Sequence, residues 1–478
     1  MIRSLLHGIE NVEVAALRAR PTGIYSGAIL LLCLSVVIIG FRITSDTNHD
    51  AGPFDQSAYI LMSGEMSNSA YPWYSDGTRN PLFPWLAARF LDPAAPEFFE
   101  SGKKFNVLLA GLGTALLGIF FGFRMGPLAG FNATALGALA VLLPLSTFFG
   151  AEVLLLVLFL FLCVTAMRLL STNPLWLYVV LGALAGLAYL AKSSGTLFLA
   201  LFIGFSIIRL ALTLFPFSRL PWAWRAPDWR IRNLFVGLAL FGAIYFALIA
   251  PRLVHAHRTW GSSFYSLPGF WFWADDWETC VQKYTDCRAI TLAKMTPEDQ
   301  PTLAGYFRRH SIADAIERAT VGAGVRIQQF FHPEKKWRFP YEKRGKPRRI
   351  VLPHRGFYIL GLAALASALG CIAFARGHLP AIGPVALPIL LGLVTCLLYT
   401  LAMGWYLPTG PGHRFILTLY LPVLWILAQG GDQLRLAANH RPANILFLGV
   451  HLAITVLVLT RLGTLLLGVS FEKVIYTF

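Results

Sequence analysis

Charged side chains are scarce in this chain. Asp55, Arg79, Glu152, Lys192, Arg252 and Arg414 draw notice: the last four lie at ends of long apolar runs, and Asp55 and Arg79 lie in the long polar segment after the first run. A lone carboxylate such as Asp55 can take a proton from an attacking hydroxyl. Arg79, Lys192, Arg414 and Arg252 can carry the charge of an anionic group. Tyr59, Glu152, His255, His257 and Trp271 supply the hydrogen bonds and ring faces that could hold a polar substrate.

Each of these residues also has a plainer use. Asp55 suits the N-cap of a helix beginning at Phe54-Asp55-Gln56-Ser57-Ala58-Tyr59, with Phe54 and Tyr59 as a hydrophobic staple. Lys192 and Arg414 can snorkel from the ends of apolar helices, and Arg79 can pair with Asp76. Glu152 at the edge of an apolar helix is costly unless it meets a cavity or a partner, and Lys192 would serve as that partner. For His255 and His257 the plain reading is interfacial polarity. Trp271 sits among Phe264, Tyr265, Phe270, Phe272, Trp273 and Trp277, which would also serve as an interfacial aromatic belt. Asp275, Asp276 and Glu278 read as a solvated loop face, and the spacing of Asp46, His49 and Asp50 is unspecific for a metal.

The elements that must position these residues are apolar helices. Of 478 residues, 56% are hydrophobic and only 13% charged, with a mean hydropathy of +0.60. Soluble domains carry roughly a quarter charged residues, so the composition requires a membrane as solvent. The formal net charge of +16 lies in connecting segments, where anionic lipid headgroups are the fitting partner; no nucleic-acid-binding motif accompanies it.

Runs long enough to cross about 30 Å of hydrocarbon fall near 23–41, 105–123, 127–146, 151–169, 174–191, 196–215, 233–251, 356–375, 381–404, 414–430 and 443–468. The expected fold is an all-α polytopic bundle of about eleven spans, with short interfacial helices after the first. Residues 1–22 are mixed and amphipathic, with no cleavage site after the span that follows, so that span is expected to remain.

Arg3, Arg18, Arg20, Arg124, Arg168, Arg219, Arg225, Arg230, Arg232, Arg376, Arg435 and Arg441 fall on one side if the N-terminus is cytoplasmic. The long segments 42–104 and 252–355 then face outward, although the basic run Lys335 to Arg349 sits awkwardly there. Cys280 and Cys287 in the second segment could form a local disulfide. Cys33, Cys163, Cys371 and Cys396 read as small buried hydrophobes.

Several motifs recur in a known order. Asp55 through Tyr59 is followed by Arg79-Asn80-Pro81-Leu82-Phe83-Pro84, then Glu152 and Ala191-Lys192-Ser193-Ser194-Gly195. Pro251-Arg252, Trp260-Gly261-Ser262-Ser263-Phe264-Tyr265 and Gly412-His413-Arg414-Phe415 come after them. In this order the chain resembles the GT-C membrane glycosyltransferases, especially protein O-mannosyltransferase-like and aminoarabinose-transferase-like members of the family 39 type. Where those relatives carry an Asp-Glu pair, this chain has Asp55-Gln56.

The resemblance implies a single membrane domain that moves a sugar, with inversion, from a polyprenyl-phosphate donor to an acceptor hydroxyl outside the cytoplasm, in the cell (plasma or inner) membrane. Asp55 would be the base, with Arg79, Lys192, Arg414 and Arg252 on the donor phosphate. Tyr59, Glu152, His255, His257 and Trp271 would hold the substrates. A lipid monophosphate has no diphosphate for a metal to neutralise, so no metal or other cofactor is expected, and Asp275-Asp276 makes a poor metal motif. The acceptor, whether protein, lipid or glycan, is left open. A transporter or flippase, and a lipid-carrier glycan ligase or polymerase, are the rival readings.

Overall fold

The computed structural model describes residues 23–52, 55–68, 74–215, 229–331, 355–377, 383–410 and 412–467. Phe54, the basic run Lys335 to Arg349, and Arg3, Arg18, Arg20, Arg219 and Arg225 lie outside the described residues.

The regular elements are helices: α1 Gly23–Asp46, α2 Gln56–Asn68, α3 Leu82–Phe90, α4 Phe98–Arg124, α5 Pro127–Ser146, α6 Glu152–Ser171, α7 Leu175–Ala191, α8 Thr196–Leu214 and α9 Ile231–Trp260. After four short helices come α10 Ile312–Phe331, α11 Arg355–Ala375, α12 Gly383–Trp405, α13 Tyr420–Ala438 and α14 Arg441–Leu466. Ten helices are long and apolar enough to cross a bilayer among the described residues. The expected span at 174–191 is α7, whose 17 residues reach about 25 Å, the short end of the spanning range. The chain is a multi-pass, all-α membrane protein.

The bundle is built inside-out relative to a soluble protein. Leu30, Leu31, Leu108, Leu112, Ile207, Phe235 and Val456 are exposed on helix faces that suit the hydrocarbon of a bilayer. Cys371 is exposed on α11 in the same way, whereas Cys163 is buried, so the expectation of burial fails for Cys371. Between α1 and α4, close approach depends on small residues. A Cβ added at Gly111, Gly118 or Gly122 would meet Val37, Ile29 or Tyr25 at 2.7, 2.5 and 2.5 Å. The centre is α5 and α6, with 83% and 78% of their apolar windows buried, against 22% for α9 at the edge. Pro144 interrupts α5, and the chain takes a π-helical turn at Ala138–Leu142 just before it.

The two long connecting segments meet at one end of the bundle. The Leu267 amide donates to the Gly77 carbonyl at 2.8 Å, and Trp405 Nε1 donates to the Phe272 carbonyl at 2.6 Å. Helix α10 crosses α12 closely enough that a Cβ on Gly322 would lie 2.1 Å from the Gly404 carbonyl oxygen.

Candidate active site

At the end where those segments meet, carboxylates and cations converge from separate elements. Asp55 enters α2, whose first turn closes on the Asp55 carbonyl through the Tyr59 amide at 3.1 Å. Its carboxylate does not cap the helix, as the sequence suggested it would. Oδ1 accepts from Arg79 Nη2 at 2.8 Å and Nε at 3.2 Å, and Oδ2 pairs with Arg414 Nη2 at 2.7 Å. The guanidinium groups outbid a neutral amide because the charge-assisted bond is the stronger one.

Arg79 is delivered by a turn that its own neighbours hold. Asp76 Oδ1 accepts from the amides of Thr78 and Arg79 at 2.8 and 2.6 Å, and its other oxygen pairs with Arg79 Nη1 at 2.6 Å. Gly77 adopts φ +81, with the rings of Trp260 and Tyr265 pressed against it, so a side chain there would be both strained and crowded. Asn80 then donates to the Tyr189 carbonyl at 2.7 Å, which ties this turn to the end of α7, next to Lys192.

Glu152 opens α6, where a carboxylate complements the helix N-terminus. It accepts from Lys192 at 3.1 Å and pairs with Arg414 at 3.3 Å. The plain pairing of Glu152 with Lys192 and its place beside Arg414 therefore hold together. Asp55, Tyr59 and Glu152 line a half-open cleft with a cavity volume of about 60 Å³, with Phe148, Phe149 and Arg414 completing much of its wall.

Burial by itself would raise the pKa of Asp55. Arg414, Lys192 and Arg79 outweigh that and hold the carboxyl well below the usual carboxylate range. Asp55 is therefore a fixed anion, with both oxygens engaged.

The remaining candidates sit elsewhere. Arg252 is buried and donates to the carbonyls of Ser263 and Tyr265 at 3.2 and 2.7 Å, which anchors the second long segment. His255 faces the Ser75 carbonyl at 3.4 Å and packs on Tyr74 and Trp260, behind the Arg79 turn. His257 is exposed on a separate groove with Phe246, Val254 and Arg258. Trp271 donates to the Tyr284 carbonyl at 2.9 Å and meets Trp277 edge-on, inside the second segment's own small core. Aromatic composition marked that segment as interfacial but did not tell which rings turn inward. Cys280 and Cys287 are buried in the same core as separate thiols. Asp276 caps the helix Trp277–Lys283, and Asp275 pairs with His310, Arg309 and Arg318.

Three residues escaped the sequence reading. Gln56 is buried and accepts from Asn48 and the Phe149 amide at 2.8 and 3.0 Å, so this side chain fixes the cleft's floor. Lys103 is buried and donates to the carbonyls of Thr44, Thr47 and Asn48, closing the end of α1. Arg326 donates to the carbonyls of Met403 at 2.9 Å and Gly412 at 2.8 Å and also to that of Gly410, which shapes the turn before Arg414. For Lys103 the signal was a charge two residues before the apolar run 105–123. Arg326 carried none beyond its place on an amphipathic helix.

No protein-family model matches the chain, and no curated protein sequence matches it. Among solved structures it is similar to ArnT from Cupriavidus metallidurans, determined with bound undecaprenyl phosphate. That likeness covers 84% of this chain and 77% of the other, at 16% identity and a TM-score of 0.31. The functional reading below rests on the site's own residues.

Proposed function

We propose that this protein transfers a sugar from a polyprenyl-phosphate carrier to an acceptor hydroxyl, with inversion, at the cleft around Asp55. One observation carries the reading: a carboxylate and the cations Arg79, Lys192 and Arg414 share one cluster beside a cleft. By the positive-inside bias of the short loops, the N-terminus is cytoplasmic and the cleft lies outside, in a plasma or inner membrane.

The chemistry follows from the charges. Cations that fill the resting site with internal ion pairs are the groups an incoming phosphate monoester would engage. As the donor phosphate takes up Arg79 and Arg414, it withdraws them from Asp55 and uncovers a carboxylate oxygen. Asp55 then accepts the proton of the acceptor hydroxyl as that oxygen attacks the anomeric carbon. The bond from that carbon to the phosphate oxygen breaks, and polyprenyl phosphate leaves with its charge held by Lys192 and Arg414. Tyr59 and Glu152 line the space where the sugar would lie. The cations do what a metal does for a nucleotide-sugar donor, so no metal enters the step.

Native mass spectrometry of the detergent-purified protein with mannosyl, glucosyl and aminoarabinosyl polyprenyl phosphates tests this. A retained adduct that requires both lipid phosphate and sugar is expected. Absence of an adduct with every donor would remove the reading and favour a transporter or ligase.

A further inference from the structure

Phe415 is ringed by positive charge. Lys192 Nζ lies 4.9 Å from its ring centroid, the Arg414 guanidinium 5.3 Å and the Arg326 guanidinium 5.6 Å. Tyr406 meets the ring edge-on at 5.6 Å, and a Cβ on Gly410 would stand only 3.2 Å from it, so the ring is held from the side as well. Phe415 also lines a crevice next to the cleft, with Leu145, Leu155 and Leu156 alongside Lys192 and Arg414.

Cations brought this close repel one another and need something to keep them together. Glu152 does part of that work, but a carboxylate cancels the charge that would attract a phosphate. An aromatic face attracts cations through its quadrupole while carrying no net charge. The ring can therefore help gather Lys192 and Arg414 without adding another anion to Asp55 and Glu152, with which they already pair. Arg326 belongs to the same arrangement, since it also fixes the Gly410 and Gly412 carbonyls that flank the turn.

We infer that Phe415 is a positioning residue whose ring face holds Lys192 and Arg414 together as one phosphate-binding pair. The inference rests on the donor reading above and adds to it an uncharged residue that sets donor affinity without touching the reacting atoms.

The test uses undecaprenyl phosphate alone as the probe, titrated onto full-length protein in lipid nanodiscs. Wild type, Phe415→Leu, Phe415→Met and Phe415→Tyr are compared. Leucine and methionine fill the site but lack a π face, and the expected result is about tenfold weaker binding for each. Tyrosine keeps the face and is expected to bind as wild type does. With a sugar-loaded donor, the leucine variant is expected to raise KM and to lower kcat/KM by at least the same factor, because Lys192 and Arg414 also hold the departing phosphate. If leucine fails to yield folded protein, methionine carries the same comparison.

Wild-type affinity in the leucine or methionine variant would overturn the inference, as would tyrosine binding as weakly as leucine. A wild type that binds no undecaprenyl phosphate would instead overturn the donor reading, and this inference with it.

Discussion

Two clusters of ion pairs, at the two ends of one helix, are built to different ends. Arg414 sits in the turn leading into α13, and Asp432 with Arg435 lies near that helix's far end. At the far end Arg435 places Nε and Nη2 on one oxygen of Asp432 at 3.2 and 3.0 Å, and Nη1 on Asn444 at 3.1 Å. Phe447 covers the guanidinium at 4.9 Å. These side chains are only 4% and 7% exposed. At the cleft end Asp55, Arg79 and Arg414 are 20–22% exposed, and each ion has more than one partner of opposite sign. A closed pair with its own cover is a lock. A shared set of ions beside a cleft can exchange partners when another anion arrives.

The contrast is sharpest under substitution. Asp55→Asn should lower kcat by about 10²- to 10⁴-fold, the range for losing a general base, while the protein stays folded and inserted. Wild-type turnover in that variant would make the two clusters alike. Asp432→Ala should do the reverse. It leaves Arg435 buried without its counter-ion, at a cost of about 3–5 kcal/mol, visible as a lower thermal midpoint with donor binding unchanged.

The difference should also appear in pH profiles. The folded-state pKa of Asp55 is depressed. Its ion pairs therefore contribute in full above the ordinary aspartate value of about 3.9 and weaken only as pH falls below it towards the folded value. The acid limb of kcat/KM, which reports the free enzyme, should accordingly lie below that value. The limb of kcat should lie at higher pH, because bound donor draws the arginines from Asp55. Coincident limbs would argue against the exchange. The smallest effect belongs to chelation: EDTA should leave turnover unchanged, and loss restored by Mn²⁺ or Mg²⁺ would overturn the metal-free step.

Much of the cleft was legible because charge is expensive beside lipid. Glu152, Lys192 and Arg414 flank apolar runs, Asp55 and Arg79 carry motifs of the first long segment, and the fold brings all of them together. Ten of the spans were legible for the same reason, and the run at 174–191 forms the shorter apolar helix α7. What was hidden is what only packing decides. Nothing in the local sequence tells that Arg252 ends on carbonyls, that Trp271 turns into a loop core, or that Gln56 is pinned by Asn48 and the Phe149 amide. Arg326 is the clearest case, since its acceptors at Met403, Gly410 and Gly412 come from a distant part of the chain. The cap expected of Asp55 was a fair local reading that a tertiary ion pair displaced.

The most direct measurement follows the fate of the donor itself. Purified wild type and Asp55→Asn would each be incubated with polyprenyl-phosphate sugars and a membrane extract as the source of acceptor, and free polyprenyl phosphate would be quantified by mass spectrometry. The account predicts release by wild type, and intact donor retained on the Asp55→Asn variant. Equal release by both, or intact donor of every kind with wild type, would contradict it.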